Sequence, residues 1–81
     1  MTFTITVESP HRATETFKRA NRDGAEYLFR RLAYDALKAC ALLDRPIAHR
    51  VMERAEEASQ PDCAIAAVHV METTIRFRAV A

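Results

Sequence analysis

The stretch from Asp23 to Leu43, DGAEYLFRRLAYDALKACALL, carries the clearest periodicity in the chain and constrains its fold more than any other segment. At about 100° per residue, Ala25, Leu28, Phe29, Leu32, Ala36, Ala39, Cys40 and Leu43 fall on one continuous face. The pattern predicts a core-facing helix. The opposite face gathers Tyr27, Arg30, Arg31, Tyr34 and Lys38, spaced three and four apart so that their side chains lie beside one another.

Running this helix further back would turn Phe17 and Ala20 off its apolar face. It would also place the only glycine, Gly24, inside a helix at a cost of about 1 kcal/mol. A break is therefore expected at 21–24, with Asp23 as N-cap and Glu26 three residues on; Asn21 is nearly as good a cap. The helix is expected to end near Asp44, which caps a second helix whose first turn holds Pro46, where a missing N–H does no harm. Ile47, Ala48, Val51, Met52, Ala55 and Ala58 form the apolar face of that second helix. The short join predicts an antiparallel or angled pair.

The strands announce themselves by alternation. In TFTITVE, Thr2 to Glu8, Phe3, Ile5 and Val7 oppose Thr2, Thr4 and Thr6; at the other end Ile75, Phe77 and Ala79 oppose Thr74, Arg76 and Arg78. Residues 12–20 read as a second strand or an amphipathic turn. Residues 64–71 read as a pairing neighbour of 73–80, as one end of a long bent strand, or as an Ala-rich helix after Pro61. The expected architecture is one α+β domain over residues 1–81, a small antiparallel sheet of two to four strands with two helices packed on one face. The outer sheet face would then carry Thr2, Thr4, Thr6, Arg76 and Arg78.

A chain of 81 residues buries only about 60–65% of the surface its unfolded form exposes, so its core is thin. A homodimer that joins sheets or buries a helix face is one expectation, and a monomer the other. The formal charge of +1 offers no global attraction to nucleic acid or to an anionic membrane, and the positive charge is ten Arg against two Lys. The uncharged run Cys63 to Met71 is far shorter than the ~20 residues that cross a bilayer. Two cysteines, Cys40 and Cys63, make no disulfide framework, and the amino terminus is a strand pattern rather than a signal peptide, so a cytoplasmic protein with free thiols is expected. Cys40 reads as a small core residue.

Four groups of residues invite a chemical reading. The Tyr27, Arg30, Arg31, Tyr34, Lys38 stripe has the parts of a protein hot spot, or of a platform that stacks bases and neutralises phosphates, or is a solvated helix face. Arg76 and Arg78 share one sheet face; there they either join such a surface or guard a strand against aggregation. His49 and Glu53, four apart on the second helix, read as an exposed pair rather than the three or four convergent ligands a metal needs. Cys63 and His69 match no ligand spacing and stand about 20 Å apart along a straight strand at ~3.3 Å per residue. His11, in a turn beside Pro10, has no evident partner.

No phosphate-cradling glycine loop, nucleophile elbow or zinc-binding run is present. The expectation is therefore a non-enzymatic protein without cofactor or metal. It would act by protein–protein contact through the stripe, as small accessory or inhibitory proteins do, some of them encoded by phages. The alternative is a small module for RNA or single-stranded DNA using the same stripe with Arg76 and Arg78.

Overall fold

The computed structural model describes residues 1–81. Strand β1 spans Thr2–Ser9 and β2 Arg12–Arg19; helix α1 spans Arg22–Ala39 and α2 Pro46–Ala55, followed by a 3-10 turn at Glu56–Ser59; β3 spans Ile65–Val70 and β4 Thr73–Val80. All strand pairings are antiparallel and the sheet order is β2-β1-β4-β3. Two hairpins thus flank the helix pair in sequence, and the pairing of β1 with β4 joins them. Of residues 12–20, ambiguous by pattern, 12–19 form a strand, and residues 65–70 pair locally with β4.

The alternation of β1 and β4 decides which face is covered. Phe3 and Ile5 from β1, Ala66, Val68 and Val70 from β3, and Ile75 and Phe77 from β4 are buried under the helices. The core holds 15 residues, all of them apolar, with Phe77 between Phe3 and Phe29 at ring separations of 6.1 and 5.7 Å. Helix α1 lies mainly over β1 and β4, while α2 lies over β3. The outer face of the sheet has no cover.

Helix α1 buries Ala25, Phe29, Ala33 and Leu37, so its core-facing row is rotated from the arc expected by pattern. Leu28, Leu32 and Ala36 are half-buried along one flank, and Ala39, Cys40 and Leu43 are exposed. Cys40 is therefore not a core residue. The N-cap is Asn21, whose Oδ1 accepts from Gly24 N at 2.8 Å; Asp23 sits inside the first turn. Gly24 belongs to the helix after all. A Cβ there would stand 3.2 Å from the capping oxygen, which offsets the helix propensity a side chain would add.

At its other end α1 stops at Ala39, short of the expected Asp44. Leu42 N donates to Leu37 O at 2.9 Å and Ala41 N to Lys38 O at 3.1 Å, with Ala41 left-handed at φ 56°. These are the two bonds of a Schellman stop, here without glycine. The residue ahead of α2 is Arg45, which makes no side-chain cap, and Pro46 opens the helix as expected. Ala48, Val51, Ala55 and Ala58 are buried, and Ile47 and Met52 flank them.

Candidate functional site

The outer side of α1 points away from the sheet because its other side is committed to the core. Tyr27 keeps 62% of its surface exposed and Tyr34 42%. Seven residues apart, they are two turns apart on the same side. Arg31 lies between them and pairs through Nε with Asp35 Oδ1 at 3.3 Å, both side chains about half in water. Arg30 is half-buried at the margin of the stripe and donates to Ser59 Oγ at 3.2 Å, which leans it toward the 3-10 turn. Lys38 is exposed in the last turn. Tyr34 also overhangs the start of α2, where Leu43, Pro46, His49 and Met52 complete a shallow cleft between the helices. The structure thus joins the stripe to apolar surface from a second element, which sequence spacing does not reveal.

Arg76 and Arg78 stand on the opposite side of the molecule. Both belong to β4, which is paired on each side, so they do not guard a free edge. Arg76 is held by Glu8, Nε to Oε1 at 3.0 Å. Register places Arg78 across Thr4 from Lys18, and Arg76 across Thr6 from Thr16. The outer face is therefore a bed of threonines from β1 and β2 crossed by cations, with Ile65, Ala67 and His69 along its β3 border. Lys18 was missed by the sequence reading because β2 itself was uncertain. The whole helix layer and sheet separate these arginines from the stripe. No single compact ligand touches both.

The other candidates resolve into local pairs. His49 Nε2 and Glu53 Oε1 are 2.7 Å apart, with 80% and 64% of their side-chain surface exposed. No third His, Cys, Asp or Glu joins them. Cys63 lies just before β3 and its thiol donates to Ile65 O at 3.4 Å; His69 Nδ1 meets Thr74 Oγ1 at 3.1 Å on the neighbouring strand. His11 has found a partner, Glu72 Oε2 at 3.5 Å, because the two hairpin turns lie at the same end of the sheet.

The residue with the most polar contacts is one the pattern did not single out. Arg22, in the first turn of α1, donates to Ala58 O at 2.9 Å, Gln60 O at 3.2 Å and Cys63 O at 2.9 Å. Its guanidinium carbon lies 5.1 Å from the centre of the Phe3 ring and 5.6 Å from that of Phe77, and Glu26 approaches at 4.0 Å. A cation in the first turn opposes the helix dipole. That conflict was the available signal that Arg22 serves tertiary structure.

No helix is long and apolar enough to cross a membrane. No family model, curated protein or solved structure matches the chain.

Proposed function

We propose that this chain is a small non-enzymatic binding protein that docks a larger protein on the outer face of α1. The observation that carries the reading is the exposure of Tyr27 and Tyr34 on one side of a helix whose row Ala25, Phe29, Ala33, Leu37 is fully buried. Tyrosine combines a large apolar ring with a polar tip and few rotatable bonds, the properties that make it common among hot spots. Arg30 and Arg31 surround the rings already tethered, to Ser59 and Asp35, so less side-chain freedom is lost when a partner arrives. The complementary surface would offer a cavity for Tyr34 and carboxylate or carbonyl oxygens opposite Arg30 and Lys38.

Occupying a site on a larger protein suits an accessory or inhibitory role. Free thiols at Cys40 and Cys63 suit the cytoplasm. Protein is favoured over nucleic acid because Arg31 is already paired with a carboxylate, and because Arg76 and Arg78 lie on the far face and add nothing to the stripe.

The test is a Tyr34→Ala, Arg31→Ala double variant. It should fold as the parent does, since both side chains are exposed, and should fail to retain the protein that the parent captures from its native host. Equal capture by both would reduce the stripe to solvated surface. Binding to RNA or single strands that falls steeply with salt would move the assignment to nucleic acid.

A further inference from the structure

The two edges of the sheet are finished differently. Edge β3 is roofed by α2, which buries Ala66, Val68 and Val70. Edge β2 has no roof. None of its residues is buried, and only Phe17 is half-covered. Between β2 and the flank of α1 runs an open groove of about 460 Å³, with Ala13 and Phe17 on the strand and Leu32, Ala36 and Ala39 on the helix. An eight-residue edge strand of this kind presents unpaired backbone N–H and C=O groups to any strand that fits.

The charges on β2 state what fits. Glu15 and Arg19 lie on the helix-side face, opposite Val7 and Phe3 in the ladder. Neither makes an ion pair within the chain, and Arg19 donates only to Lys18 O, at 2.8 Å. In an antiparallel pairing of β2 with itself, side chains stay on their own face only when the two-fold axis passes through a residue. An axis through Glu15 sets Glu15 against Glu15 and Arg12 against Lys18. An axis through Thr16 sets Glu15 against Phe17 and leaves the charges unmatched. An axis through Phe17 sets Glu15 against Arg19 of the second copy, twice over, and Thr16 against Lys18.

We propose that the occupant of the β2 edge is a second copy of this chain, paired antiparallel about a two-fold axis through Phe17. The two sheets then form one of eight strands. The axis stands perpendicular to the sheet, so both helix layers remain on one face, and the two copies of β2 keep the α1 helices apart. The open grooves merge into one trough above the paired Phe17 rings. This surface is separate from the Tyr27–Tyr34 face, so either assignment can fail without the other.

Light-scattering mass of purified protein tests the pairing, with wild type, Glu15→Arg, and the swap Glu15→Arg, Arg19→Glu run side by side. The wild type should weigh twice the 9.2 kDa chain. Glu15→Arg, which sets like charges against each other, should halve that mass while the circular dichroism stays that of the folded chain, and the swap should restore it. Tyr34→Ala, Arg31→Ala should remain dimeric. A wild type that is monomeric at high micromolar concentration overturns the proposal and leaves the edge to some other strand. A dimer indifferent to Glu15→Arg, or one that the swap does not restore, overturns it as well.

Discussion

The guanidinium of Arg22 lies over the ring of Phe3, 5.1 Å from its centre, so a cation closes one end of an otherwise apolar core. From there it reaches the carbonyls of Ala58, Gln60 and Cys63, tying the first turn of α1 to the chain that enters β3. One side chain thereby couples the helix pair to the second hairpin. Hydrogen bonds from a charged donor contribute roughly 1.5–3 kcal/mol, and a cation over an aromatic face about 0.5–2 kcal/mol. Arg22→Ala should cost about 2–3 kcal/mol and lower the melting temperature by roughly 10 °C or more. Arg22→Lys keeps the charge but loses the planar fork, and should fall between. Thermal melts followed by circular dichroism decide the order.

The capping bond at the start of α1 belongs to Asn21, not Asp23. Asn21→Ala should cost about 1 kcal/mol, and Asp23→Ala less than half of that, since Asp23 only adds its charge to the dipole end. Urea titration of the two variants separates them.

At the other end, Ala41 takes the left-handed conformation that usually falls to glycine. Ala41→Gly should raise stability by about 0.5–1 kcal/mol, the relief of the Cβ strain exceeding the added freedom of the unfolded chain. A lower urea midpoint for this variant would show that the Schellman stop does not hold in solution.

Phe77 touches both other core aromatic rings, so Phe77→Ala removes the centre of the core. Its cost of about 3–5 kcal/mol is a large part of the ~5–15 kcal/mol available to a domain, and this variant should melt roughly 15–30 °C below the parent. Tyr27→Ala, on the exposed face of α1, should stay within about 0.5 kcal/mol of the parent.

The cysteines should differ in reactivity. Cys40 is exposed at the end of α1, whereas Cys63 is half-covered and its thiol donates to Ile65 O. Titration with a thiol reagent should show two phases, with Cys40 the faster. Cys40→Ser should remove the fast phase alone.

Much of the helix layer was legible in the periodicity. The pattern placed Ala48, Val51 and Ala55 on one side of α2, with Ala58 in line although it falls in the 3-10 turn, and Tyr27, Arg31, Tyr34 and Lys38 opposite the core on α1. It did not distinguish the row Ala25, Phe29, Ala33, Leu37 from the row Leu28, Leu32, Ala36, because both are apolar and adjoin one another. Which row is buried depends on where the sheet ends: the first lies over the strands, while Leu32 and Ala36 of the second overhang the groove beside β2.

The sequence alone determined the strands β1 and β4, the two amphipathic helices and the assignment of Thr2, Thr4, Thr6, Arg76 and Arg78 to one outer face. Those properties follow from alternation and helical spacing, which act between near neighbours in the chain. Tertiary structure alone decided the order β2-β1-β4-β3, the separation of Arg76 and Arg78 from the tyrosines, and the bridge from Arg22 to Ala58 and Cys63. These depend on contacts between segments far apart in the chain, where the cost of closing loops and the shape of the shared core choose among pairings that local pattern leaves equal.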